Sequence, residues 1–310
     1  MRLTFGILMS LMVGVAHANT DLTAAIENVR TTCGNISAEL TDMKKMAGIT
    51  TAVTGVGTVA GGVALGTGLA KTNVDKEIAD LEQQLAKLDA TRNLEPITIS
   101  ATNLQNELNQ YQTSIQTLSK SELQKQKSEA EQKSKNLGNI RTGTLATATA
   151  TNIAGAIMSG TNRVKGDLKS QIDECLASVK TLSNVRMQAR ISNTATESDL
   201  ARAENIIRAC DAWTTVDVSS IDNRSTGATV SSGIGAGLGL AGTITSASAN
   251  SDGVRNGDDT QREKNLNTAA NVLAGGTTAA SLSATIFNAT QISAIKRAAT
   301  VADECEGALK

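Results

Sequence analysis

The sequence predicts an all-α protein: an elongated bundle of two related, disulfide-stapled helical hairpins, the first extended by an antiparallel coiled-coil arm. Three observations carry that expectation. Proline occurs once in 310 residues, at Pro96, so little interrupts long helices. Aromatic residues make up 1% of the chain, too few rings to fill a sandwich or barrel core of this size. Apolar residues recur at alternating intervals of four and three, the period of a helical seam.

At the N-terminus, MRLTFGILMSLMVGVAHANTD reads as a secretory signal peptide over residues 1–18. Arg2 precedes an apolar run from Leu3 to Val15 that is too short to span a bilayer, and Ala16-His17-Ala18 is a small-residue cleavage site. Cleavage would remove the only histidine, His17, leaving single rings at Trp213, Tyr111 and Phe287. Histidine-dependent catalytic triads and imidazole metal sites are then excluded. Base stacking on aromatic platforms is excluded on the same count, and 28 basic residues against 30 acidic ones provide no basic field for nucleic acid.

Two kinds of segment alternate after that. The first is charged and heptad-like. Val74, Ile78, Leu81, Leu85 and Leu88 form one stripe, and Leu104, Leu108, Tyr111, Ile115 and Leu118 form another beyond Pro96. Together they predict the coiled-coil arm, at about residues 74–135, with its tip near Pro96. The lysines between Lys120 and Lys135 read as a solvated face.

The second kind carries no charge and is built from small residues. Four such runs cover 46–70, 142–162, 225–251 and 265–295, with 25, 21, 27 and 31 residues. Each is long enough for a hydrocarbon core of about 30 Å, yet Thr, Ser, Asn and Gly dilute the Leu, Ile and Phe that drive insertion. Their Thr and Ser predict a water-facing side, and their Ala and Gly a packed side. Gly57/Gly61, Gly62/Gly66, Gly233/Gly237 and Gly235/Gly239 are spaced to bring helix backbones together or to face a membrane. In these short segments the chain resembles the glycine-zipper pattern of several bacterial envelope and pore-forming proteins.

An internal repeat organises the whole. AsnLeuGlyAsn at 136–139 and AsnLeuAsnThr at 265–268 are followed 39 and 40 residues later by Cys175 and Cys305, each preceded by Asp-Glu. Cys33 and Cys210 lie 15 and 17 residues before Gly48 and Gly227, which open two similar glycine-rich runs. The division expected is 19–185 for the first hairpin with its arm, and 186–310 for a linking helix (Thr196 to Trp213, capped by Thr196 or Ser198) and the second hairpin. Four cysteines in an exported chain predict two disulfides. The repeat favours Cys33–Cys175 with Cys210–Cys305; the nested pairing Cys33–Cys305 with Cys175–Cys210 also gathers all four at one end.

Motifs for chemistry are weak. Gly237, Gly239 and Gly242 match a dinucleotide fingerprint in spacing only, with no strand before them. The paired acids Asp173-Glu174 and Asp303-Glu304 point about 100° apart on a helix and do not converge; they read as solvated faces beside the disulfides. Asp252, Asn256, Asp258 and Asp259 form a polar turn without calcium-loop spacing. Trp213 reads as a core plug beside Cys210. No catalytic residue, cofactor or metal is expected. The expected function is an exported, non-enzymatic structural or interaction protein of the cell envelope, periplasm or secreted fraction. Its partners would be proteins or further copies of itself, met through the arm and the small-residue faces. The alternative is a membrane-inserting, pore- or channel-forming helical protein that uses the uncharged runs.

Overall fold

The structure is a computed structural model, and it describes residues 21–92, 102–161, 166–255 and 260–310. The signal peptide, Pro96 with the arm tip, and Asn256, Asp258 and Asp259 of the polar turn lie outside the described residues. The described chain is helical, without a strand: α1 (21–33), α2 (Ile36–Arg92), α3 (Thr102–Thr161), α4 (Gly166–Ile191), α5 (Glu197–Asp211), α6 (Val218–Ala249), the single turn α7 (Asp252–Arg255) and α8 (Thr260–Leu309). It divides into two compact units whose segments interleave along the sequence. One draws on Met1–Thr54, Ala154–Ser232 and Ser283–Lys310, the other on Gly55–Ile153 and Gly233–Leu282.

The first unit has an apolar core. Leu22, Val29, Ile36 and Leu40 from α1 and α2 pack with Leu168, Ile172, Val179 and Leu182 of α4, Leu200 and Ile206 of α5, Ile221 of α6, and Ile295 and Leu309 of α8. Trp213, in a 3-10 turn (Ala212–Thr215) after α5, is 2% exposed and plugs this core. The linking helix is capped by Thr196, whose hydroxyl accepts from the Asp199 N–H at 3.2 Å. Cys33–Cys175 ties α1 to α4, and Cys210–Cys305 ties α5 to α8. The pairing is the one the repeat favours. The closed loops of 142 and 95 residues each remove about 5 kcal/mol of unfolded-chain entropy in the ideal case. Such bonds agree with an oxidising compartment. Asp173, Glu174, Asp303 and Glu304 are exposed, as solvated faces.

In the second unit, the arm pairs α2 with α3. Val74, Leu81 and Ala130 form its buried seam, with Ile78, Leu123 and Leu137 packed against them. Lys127 Nζ bridges to Glu82 at 2.9 Å. That carboxylate, by hydrogen bond and charge, holds the Lys127 ammonium above its usual pKa. The α2 stripe therefore lies where its spacing puts it. The α3 stripe does not: Tyr111, Ile115 and Leu118 are 72%, 65% and 70% exposed. On α3 the inward residues are instead Lys120, Leu123, Lys127, Ala130 and Ser134, at least half covered and again spaced three and four apart. The aliphatic stems of Lys120 and Lys127 cover the seam while their ammonium groups reach Asp89 and Glu82. A search confined to apolar residues passes over such positions.

Candidate functional site: a polar seam beneath an apolar exterior

The rest of the second unit is built from the small-residue parts of α2, α3, α6 and α8, and their interior follows an unbroken heptad rhythm. Buried positions run Gly57, Gly61, Ala64, Gly68 and Lys71 on α2; Gly138, Arg141, Leu145, Ala148 and Asn152 on α3; Gly235, Gly239, Gly242, Ser246 and Ala249 on α6; and Asn267, Ala270, Ala274, Thr277 and Ser281 on α8. Leu145 is the sole bulky aliphatic among them. The bulky aliphatics face outward: Val56, Val59, Val63, Leu69, Ile140, Ile153, Ile234, Leu240, Ile244, Val272 and Leu282 are all exposed. This distribution is the reverse of a water-soluble helix, whose apolar stripe turns inward.

The interior is joined by reciprocal contacts that realise the sequence repeat as a pseudo-two-fold arrangement. Asn136 and Asn265 open the repeat 129 residues apart. Asn152 Nδ2 donates to Ser281 Oγ at 2.8 Å, and these two residues are also 129 apart, so repeat-equivalent positions meet each other. Asn250 Nδ2 donates to Thr142 Oγ1 at 3.3 Å, and its equivalent bond, Asn271 Nδ2 to Thr72 Oγ1, has the same length. Gly61 lies against Thr278 as Gly239 lies against Thr149. A Cβ on Gly61 would sit 3.2 Å from Thr278 Cα, so only glycine permits this backbone approach. These pairs set α2 and α6 in register at an offset of 178, one residue from the register suggested by Gly48 and Gly227.

A charged cluster closes one end of the seam. Lys71 is fully buried and reaches Asp75 Oδ2 at 2.7 Å and Glu263 Oε1 at 3.2 Å. Arg141, also fully buried, donates through Nε to Ser246 Oγ (2.8 Å), through Nη1 to Asn271 Oδ1 (3.2 Å) and through Nη2 to Asn267 Oδ1 (2.8 Å). Ser134 Oγ donates to Asp75 Oδ1. Two cations balance two carboxylates, and all four helices contribute a group. In the sequence Lys71 and Arg141 marked only where uncharged runs begin and end. The signal that reveals more is their phase, since both fall on the interior heptad positions.

The eight glycines expected to matter divide into two sets. Gly57, Gly61, Gly235 and Gly239 are buried in the seam; Gly62, Gly66, Gly233 and Gly237 face outward, with nothing within 4 Å of an added Cβ. The threonines also depart from expectation. Hydroxyl side chains lie on the packed side as well as the exposed one, with Thr149, Ser246, Thr277 and Ser281 buried, and many threonines donate to the carbonyl one turn back, as in Thr67 to Val63, Thr147 to Gly143, Thr245 to Ala241 and Thr277 to Leu273. Such a hydroxyl makes little demand on solvent. One helical span among the described residues, Asp21–Ala90, is long and apolar enough to cross a membrane, with mean hydropathy 1.4 over its best 18 residues and 28% of them buried.

In the first unit the two disulfides are neighbours: the sulfurs of Cys33, Cys210 and Cys305 all lie within 4.8 Å of one another. Outside the uncharged runs, Asp217 caps α6. The Ser219 hydroxyl and the Ser220 N–H donate to its carboxylate and hold it below its usual pKa. Fold and seam together define the class: a disulfide-stapled helical protein with a polar-cored, pseudo-symmetric four-helix assembly. No protein family, no curated protein and no solved structure matches the chain.

Proposed function

We propose that the protein is an exported, non-enzymatic helical membrane protein: its four uncharged runs lie in a lipid bilayer, and its coiled-coil arm is held outside the bilayer for a protein partner. One observation carries the reading, the outward display of eleven bulky aliphatic side chains over an interior of Gly, Ala, Thr, Ser and Asn in the second unit. Burying a Val, Leu or Ile from water is worth about 1.5–3 kcal/mol, so in water this fold forgoes most of its driving force. In lipid the same side chains are solvated. Association between helices there rests on close backbone approach and interhelical hydrogen bonds, which the seam supplies at Gly61, Gly239 and Asn152. The helical backbone and the back-bonded threonines leave few polar groups for the bilayer to reject.

Because the seam is filled, this bundle is a closed anchor; a pore would need the helices to part. The exposed Tyr111, Ile115 and Leu118 favour a second role for the arm, since four-three spacing on a free helix face suits another helix. That is the scaffold reading, and it is compatible with the anchor.

An alkaline carbonate wash of membranes from cells producing the full chain tests the proposal. The expected result is retention in the pellet and extraction by detergent. Release into the carbonate supernatant as a folded monomer would overturn it and leave the scaffold reading alone.

A further inference from the structure

We propose that the four cysteines, when reduced, form a tetrathiolate site for a soft divalent cation, zinc above all. Cys33 comes from the end of α1, Cys175 from α4, Cys210 from α5 and Cys305 from α8, and all four are between 0% and 3% exposed. Three of the sulfurs already lie within 4.8 Å of one another, and Cys175 is bonded to one of them, Cys33. A tetrahedral zinc–sulfur site has Zn–S bonds of about 2.3 Å, which sets its sulfur–sulfur edges at about 3.8 Å. Three of the four sulfurs lie near that spacing already, and Cys175, released from Cys33, would close on the other two to complete the set. Two come from each repeat.

The chemistry balances as follows. Each disulfide takes two electrons and two protons from a phosphine or dithiol reductant and becomes two thiols. Metal binding then replaces the four thiol protons with four metal–sulfur bonds. The surrounding apolar core (Ile206, Trp213 and Ile221 among its members) excludes water, as a closed structural zinc site requires. The cysteine spacings contain no Cys-x-x-Cys, which hides the site from the sequence. The metal would then staple the same helices that the disulfides staple, in a chain that has not met an oxidant. The inference does not rest on the membrane reading.

The test uses the full chain, reduced anaerobically with a phosphine and titrated with Co2+. We expect one Co2+ per chain, with the intense thiolate charge-transfer and red ligand-field absorption of a tetrahedral thiolate site, displaced by Zn2+. The oxidised chain should show none of it, and Cys175→Ser and Cys305→Ser should each lower the affinity tenfold or more. Fluorescence of Trp213 follows the unit itself: Zn2+ should return the reduced chain to its buried emission. Absorption that is missing, or that survives both substitutions, would overturn the proposal, as would a Trp213 signal indifferent to Zn2+.

Discussion

Arg141 Nη2 donates to Asn267 Oδ1 at 2.8 Å, a buried guanidinium resting on a neutral amide rather than on a carboxylate. Its other hydrogen-bond partners, Ser246 and Asn271, are neutral as well, and the nearest charge balance comes from the Lys71–Asp75–Glu263 group. A buried charge earns stability only when its surroundings satisfy its donors, and one whose donors are satisfied fixes register more than it adds energy. Here α6 and α8 are both pinned to α3 by one side chain. Arg141→Ala should therefore cost about 2–4 kcal/mol, because it leaves two amide oxygens and a hydroxyl in a dry seam. Denaturation of wild type and variant in the same detergent measures this; a loss under about 0.5 kcal/mol would remove Arg141 from its assigned place.

The glycines provide a paired test. Gly61→Ala must push against the Thr278 backbone, and a loss of about 1–3 kcal/mol is expected. Gly62→Ala, one residue along and facing open space, should stabilise by up to about 1 kcal/mol through helix propensity alone. Melting temperatures moving in opposite directions support the two-faced reading of α2. If both fall alike, the outward glycines are in contact with something in the assembled protein.

Val59 lies near the centre of the run 46–70 and is 68% exposed. Val59→Lys should cost about 2.5–3.5 kcal/mol if this face meets hydrocarbon, the penalty for a lysine at mid-span. A face in water would tolerate the change within about 0.5 kcal/mol. The readout is the carbonate-resistant fraction together with the melting temperature. An unchanged value for both would return the exterior of α2 to solvent.

Asp217 makes stability depend on acid. Its carboxylate, held low first by the Ser219 hydroxyl and then by backbone N–H groups, favours the folded state only while ionised. The contribution is present above the unfolded aspartate's pKa and is lost as pH falls through the lower folded value. Wild type should exceed Asp217→Asn in stability at neutral pH, and the gap should close on acidification. Denaturation curves from neutral to strongly acid pH decide it: a gap that stays constant means the carboxylate does not cap α6.

Much of the fold was legible because the governing signals are local. A single proline, the apolar stripe of α2 and a repeated Asp-Glu-Cys were enough to read helices, an arm and a disulfide pairing. What escaped was most of the seam, written in small and polar residues, of which the sequence marked only Gly57, Gly61, Gly235 and Gly239. The bundle seam keeps heptad phase from Gly57 through Gly61, Ala64, Gly68 and Lys71, yet none of those positions registers in a search for bulky apolar stripes. After Lys71 the next buried residue is Val74, so an interval of three occurs twice in succession. This phase slip separates the bundle seam from the arm seam on α2. Tyr111, Ile115 and Leu118 misled for the opposite reason: they are apolar and correctly spaced, but on a face left exposed among the described residues. The sulfur cluster was half visible, since the repeat implied which cysteines pair but not that the two pairs touch.

The disulfide connectivity also bears on how the chain is made. Cysteines leave the ribosome in the order 33, 175, 210, 305, and the native bonds join first to second and third to fourth. An oxidant that simply links each new thiol to the one already waiting produces the correct product with no reshuffling. At about 5–20 residues per second, Cys210 waits roughly 5–20 s for Cys305, by which time its only sulfur neighbours are already bonded to each other. The native bonds thus join cysteines that are consecutive in the chain, so oxidation in order of emergence reaches them directly.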